Sequence, residues 1–267
     1  MSDGPPLMIT ATPNVSWLNP EVDYPRTIET LVAEAKECER AGASILHFHG
    51  EEYWAEAIAA LRSETDLIIQ CGMSSLPVLD RMEVFDNHAD MISIITSHHD
   101  EAFAEADFHV LHPREELVEY AELSREHGVK LELETWHTGS IWNIRWLIER
   151  GLLDPPYFIS LFFDWPGGSW TPATVEEYLY RSRQLPEGSV STLSAMGPRQ
   201  FPLLVTAITL GDHVRVGTED YPFDRDGEPA LTHELVTQIA DVARAVGRPI
   251  ATPAQAREIV GIAQQPA

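Results

Sequence analysis

Short runs rich in β-branched and aromatic residues alternate along this chain with longer stretches in which apolar residues recur every three or four positions. The first pattern marks strands and the second marks amphipathic helices. Eight runs read as strands: Leu7–Ala11, Ser44–His49, Asp66–Cys71, Met91–Thr96, Val129–Thr135, Tyr157–Phe163, Ser189–Ala195 and His213–Gly217. Helical periodicity falls between them, as at Thr27–Ala41, Arg114–His127, Ile141–Arg150, Val175–Gln184 and His233–Val246. Eight strand–helix units predict an α/β fold closed as a (β/α)8 TIM barrel. An open doubly wound sheet has fewer strands and a glycine-rich first turn, whereas the first strand here runs on as ITATPNVSW with no GxGxxG. The 267 residues suit one such barrel, so a single domain over 1–267 is expected. The tail Gln264–Ala267 is expected to fray.

Composition narrows the partners. With 18 basic against 42 acidic residues the formal net charge is −24, which repels nucleic acid and anionic membranes. No run approaches the roughly 20 apolar residues of a membrane-spanning helix. The opening MSDGPPLMIT has no basic region followed by an apolar one, so a cytoplasmic location is expected. Cys38 and Cys71 are too far apart for a CxxC motif, and no disulfide is expected. The only lysines are Lys36, in a helical stretch, and Lys130, at a strand start. Neither position suits a Schiff-base nucleophile, and the absence of GxSxG argues against a nucleophile-elbow hydrolase.

In a barrel of this kind the chemistry sits at the C-terminal ends of the strands. The second strand ends His47-Phe48-His49, and a period of two turns both imidazoles to one side. Such a pair can chelate a metal or simply cap a loop. On the last strand Arg215, Gly217 and Glu219 share a face and Asp220 begins the loop. That strand neighbours the first, with the second just beyond, so Glu219 can approach both histidines. Two histidines and one carboxylate with an open position form a known catalytic zinc arrangement, while Arg215 with the carboxylates can equally form a structural ion pair. Glu134 ends the fifth strand, where it can act in proton transfer or, with Glu132, as a buried structural partner. After the seventh strand, Gly197-Pro198-Arg199 opens a helix, and Arg199 reads either as an anion contact or as a surface arginine.

HFH on the second strand, ELE within LELETWHTG, GPRQ after the seventh strand and HVRVGTEDYPF on the eighth stand in an order and spacing that resembles the β-keto acid cleavage enzymes. The resemblance runs from about Met8 to the closing GRPIATPAQAREIV. It implies a zinc barrel that takes a β-keto acid and acetyl-CoA and returns acetoacetate and a new acyl-CoA by a retro-Claisen mechanism. It also implies zinc on His47, His49 and Glu219, with Arg215 and Asp220 activating the substrate. Thr96 and Glu134 match further polar positions of that family's site. Ser74 is a candidate substrate contact and Arg199 a candidate contact for the acyl-CoA. A homo-oligomer, a tetramer in the family, is the implied assembly.

Three segments depart from the family pattern: Thr12 to Trp17 after the first strand, Cys71 to Leu76 after the third, and GEEYWAEAI after HFH. All would face the substrate, so its identity stays open. Two other readings remain beside this one. An amidohydrolase-type hydrolase also uses HxH, though usually after the first strand and with histidine or lysine on the fifth and sixth, which end here in Glu134, Thr135 and His137 and in Phe162, Phe163 and Asp164. A non-catalytic metabolite-binding barrel would keep the metal without turnover.

Overall fold

Eight parallel strands close on one another in the computed structural model, which describes residues 4–50, 53–103, 106–167 and 169–264. In chain order the strands are β1 (Ile9–Ala11), β2 (Ile45–Phe48), β3 (Ile68–Cys71), β4 (Met91–Ile95), β5 (His98–Phe103), β6 (Ala106–Leu111), β7 (Lys130–Thr135), β8 (Tyr157–Phe163), β9 (Ser189–Ala195) and β10 (His213–Val216). The barrel order is β1-β10-β9-β8-β7-β4-β3-β2, and the antiparallel pair β5–β6 stands apart from it. The barrel is therefore the expected one. Its strands keep within the eight apolar runs, shortened by one or two residues at several ends, and β8 and β9 coincide with them.

The β5–β6 hairpin was not foreseen. The first strand, HHDEAF, has no apolar alternation, and the second, ADFHVL, alternates only over Ala106, Phe108 and Val110, a signal too short to mark a pair of strands. Residues 265–267, most of the tail expected to fray, lie outside the described residues.

The helices are α1 (Ile28–Ala41), α2 (Trp54–Glu64), α3 (Met82–Asp86), α4 (Arg114–His127), α5 (Thr138–Glu149), α6 (Val175–Ser182), α7 (Gln200–Leu210), α8 (Thr232–Ala245) and α9 (Pro253–Val260). Local chemistry sets their ends. Thr27 and Thr30 form a capping box that starts α1, and Gly42 ends it in the left-handed region. α9 begins with Thr252 as cap and Pro253 in its first turn. Among the described residues no helix is long and apolar enough to cross a membrane. Both cysteines are free and buried.

Alternation along the strands sorts the side chains into two environments. Outward residues such as Leu46, Ile69, Ile92, Leu133, Ile159 and Val214 join the helices in one apolar cluster. Inward residues near the strand starts, Met8, Ile45, Ile68, Met91 and Phe158, pack with Ala256 and Val260 of α9, which plugs that end of the barrel. One step up each strand the inward positions turn polar: His47, Gln70, Ser93, Glu132, Ser160 and Arg215, all buried. Polar groups at that depth are costly unless they bond to one another, so this layer is where the chemistry is to be sought.

Candidate metal centre and substrate cavity

The three candidate ligands converge above this polar layer. His47 Nε2 lies 3.2 Å from His49 Nε2 and 3.5 Å from Glu219 Oε2, and His49 Nε2 lies 3.3 Å from Glu219 Oε1. Two loops make the approach possible. Gly217 continues β10 against β1 so closely that a Cβ there would overlap Thr12, and Glu219 N then bonds Thr12 O. Asn14 grips His49 from the other side, donating to its carbonyl at 2.6 Å and accepting from its N–H at 3.0 Å.

The partners of the distal ring nitrogens fix the tautomers. Met73 Sδ stands 2.9 Å from His49 Nδ1, and because a thioether only accepts, that nitrogen carries the proton. Gln70 donates Nε2–H to the Met91 sulfur, which turns its Oε1 to His47 Nδ1 at 2.9 Å and makes that nitrogen a donor too. Both Nε2 atoms therefore present lone pairs to each other and to a carboxylate. Three acceptors in this position cannot bond among themselves; a cation satisfies all of them. Ligand atoms around a tetrahedral zinc with bonds of about 2.0–2.1 Å are about 3.3–3.4 Å apart; the 3.2 Å between the two Nε2 atoms is close to that edge, and each ring has its own Glu219 oxygen at 3.5 or 3.3 Å. The residues present thus fit a divalent ion.

Electrostatics favour the same state. Burial, then the neighbouring Arg215, hold His47 well below its ordinary value, so it stays neutral. Burial pushes the Glu219 carboxyl up, but Arg215, the largest opposing influence, keeps the group ionised well below the usual range. Arg215 bonds Glu219 Oε1 at 2.7 Å and Asp220 Oδ1 at 2.9 Å, while Ser194 Oγ donates to Asp220 Oδ2. Its own burial is overcome by these carboxylates, which hold it charged. Burial pushes Asp220 up to about 6 despite the guanidinium.

Beside the triad opens a cavity of about 340 Å³. Arg215, Glu134 and Ser74 face it together with His47, His49 and Glu219, and the rest of the wall includes Trp17, Met73, Trp136, Phe162 and Trp165. Glu134 Oε2 accepts from Ser74 Oγ at 2.9 Å and from Trp136 Nε1 at 3.0 Å. Burial, then the adjacent Glu132, pushes Glu134 up to about 8; burial pushes Glu132 up to about 7.

Three expected site residues do not line the cavity. Asp220 is fully buried on Arg215 and does not line the cavity. Thr96, just past the end of β4, donates its hydroxyl to Glu134 O at 2.8 Å and is likewise absent from the wall. Arg199 forms a two-pronged pair with Asp164, the residue after β8, through Nε at 2.6 Å and Nη2 at 2.5 Å. The aromatic wall and the Met73 sulfur had not been singled out from the sequence. Gln70 had a signal, as the one polar side chain in the apolar run IIQC.

A family model described as beta-keto acid cleavage enzyme matches residues 6–262. The 3-keto-5-aminohexanoate cleavage enzyme of Fusobacterium nucleatum subsp. nucleatum is 31% identical over 264 residues, 91% of this chain and 92% of its own. The enzyme of that name from Acetoanaerobium sticklandii is 31% identical over 265 residues, 92% of this chain and 93% of its own. Among solved structures, ObcA in binary complex with oxaloacetate has a TM-score of 0.73 at 17% identity, covering 90% of this chain and 67% of that one, which is a likeness of fold.

Proposed function

This chain belongs to the beta-keto acid cleavage enzymes, and from that premise we propose that it exchanges acyl groups between a β-keto acid and acetyl-CoA at a zinc centre held by His47, His49 and Glu219. The observation that carries the zinc assignment is the facing of two imidazole lone pairs, 3.2 Å apart, and a carboxylate with one oxygen within 3.5 Å of each ring. Bound there, zinc supplies a Lewis acid for the carbonyl of the keto acid.

The chain's own groups handle charge and protons. Glu134 is assigned the α-proton, in place of Asp220, because it faces the cavity and Asp220 does not. A carboxyl pushed up to about 8 suits both directions of transfer near neutral pH. Arg215 faces the cavity as the cation against which negative charge develops, and Asp220 keeps its guanidinium in place. The deprotonated α-carbon attacks the acetyl carbonyl and expels the CoA thiolate. That thiolate adds to the original keto carbon, and the bond from this carbon to the α-carbon breaks. The new acyl-CoA departs, and the α-carbon recovers its proton from Glu134 to leave as acetoacetate. The aromatic wall keeps water from hydrolysing the thioester.

The test is elemental analysis of the purified protein, followed by incubation with β-keto acids and acetyl-CoA and mass detection of acetoacetate and acyl-CoA. About one zinc per chain is expected, lost in His47→Ala/His49→Ala. A zinc-replete protein that forms no acyl-CoA from any β-keto acid overturns the proposal.

A further inference from the structure

Resting on the acyl-exchange reading of this cavity, we infer that the side chain of the accepted β-keto acid is uncharged and apolar, and that substrates carrying an ammonium group or a second carboxylate are rejected. The carrying observation is the way the aromatic wall presents itself. Clusters of tryptophan and phenylalanine bind ammonium groups when they offer ring faces, where the quadrupole is negative. Here the faces of Trp136 and Phe162 are already covered. Trp136 stacks on Phe162 with centroids 4.5 Å apart and planes at 12°, and His99 lies against it, tilted by 37°, with centroids 3.7 Å apart. Two rings cannot share one face at those separations, so they sandwich the indole. Phe162 also carries the Arg215 guanidinium, 5.2 Å from its centroid. Trp165 meets both Trp136 and Phe162 edge to face, and Trp17 meets His49 in the same manner. What Trp136 and Phe162 turn to a ligand is therefore mostly ring edge, whose positive rim disfavours a cation and packs well against apolar groups.

No counter-charge is set aside for either sign. Glu219 is bound to Arg215 and faces both histidines, and Glu134, its Oε2 held by Ser74 and Trp136, is the group assigned to the α-proton at the reacting end. Among the described residues of the wall, Arg215 is the basic side chain of permanent charge, and two carboxylates neutralise it. Lys36 pairs with Glu64 and Lys130 with Pro156 O, both outside the cavity. At the mouth, His109 pairs with Asp100. An ammonium or a distal carboxylate would thus be desolvated without a partner, which costs several kcal/mol.

The experiment compares kcat/KM of the zinc-loaded protein, with acetyl-CoA saturating, for 3-oxohexanoate and 5-methyl-3-oxohexanoate against 3-keto-5-aminohexanoate and 3-oxoadipate. A preference of about 100-fold or more for the neutral pair is expected. Equal or better turnover of either charged substrate overturns the inference, whatever becomes of the acyl exchange itself. Calorimetric binding of 3-hydroxyhexanoate against 3-hydroxy-5-aminohexanoate, neither of which can be cleaved, separates the two claims. If no keto acid reacts yet the neutral hydroxy acid binds at least about 10-fold tighter, the reaction falls and the cavity's preference stands; equal binding removes the preference. Leu76→Asp, which puts a carboxylate into the wall, should narrow the gap to the ammonium substrate by about 10-fold.

Discussion

Gly72→Ala adds one methyl group at the point where the metal site is tightest. A Cβ at this position would stand 2.7 Å from His47 Nε2, 2.8 Å from His49 Nε2 and 2.9 Å from His49 Cδ2. Ordinary contacts between such atoms are about 3.5 Å or longer, so the overlap is about 0.7–0.8 Å with both imidazole nitrogens at once. The backbone cannot slide away, because Gly72 N donates to Phe48 O at 2.8 Å and Gly72 O accepts from the buried Arg81 at 2.6 Å. The rings must swing instead, yet coordination tolerates only about 0.2 Å. Overpacking of this kind costs about 1–3 kcal/mol of stability. The effect on metal is larger: at least one imidazole is lost as ligand, and affinity should fall by more than about 100-fold. Competition against a chromophoric chelator measures that fall, and circular dichroism with thermal melting establishes that the variant is folded. A folded Gly72→Ala protein that binds zinc with unchanged affinity would refute the claim that these two Nε2 atoms hold the metal.

Met73→Leu keeps the shape but removes the acceptor at His49 Nδ1, so zinc affinity should fall by about 10-fold or more, with Met73→Gln retaining it; chelator competition decides. Glu134→Gln should cut turnover by about 10²–10⁴-fold at unchanged zinc content. Since the ionised form takes the proton, wild-type kcat/KM should rise as pH passes through about 8, a limb absent from the variant. Glu132 bears on stability: its folded pKa, about 7, is raised, so its contribution is full below the ordinary carboxyl value and lost as pH climbs through 7. Glu132→Gln should accordingly flatten the fall in Tm between pH 5 and 9, and an identical pH dependence in both proteins would contradict this. Asp220→Asn should retain zinc while slowing turnover, because it loosens Arg215 and leaves the ligands in place.

The barrel was legible because each strand must feed two environments. An outward position packs on helices and an inward one on the plug or the polar layer, so runs such as ILHF and YFISLFF are apolar enough to be found and regular enough to be aligned. The hairpin escaped for the opposite reason. Its ladder from His98↔Leu111 to Phe103↔Ala106 is held by backbone bonds, and its two-residue apolar rhythm is confined to Ala106, Phe108 and Val110 of the second strand.

At the site, what could be read depended on how far a side chain's position follows from its own strand. His47 and His49 are two apart on β2, and Glu219 lies on the continuation of β10, so period and strand order alone bring them together. Met73 reaches His49 only because its backbone adopts φ 59°, a left-handed conformation that nothing in the residue type announces. For Arg199 and Thr96 the sequence does not show the partner each has, supplied by a loop or a neighbouring strand: Asp164, itself at φ 58°, and the carbonyl of Glu134. The same holds for Asp220 and Glu134. Both are buried carboxylates at strand ends, and their difference lies in which one Arg215 holds back from the cavity. Pairing of this kind spans 60 or more residues for Ser74 with Glu134 and 202 for Trp17 with Glu219, so the chemistry of a carboxylate here is set by the closure of the barrel as much as by its own position in the chain.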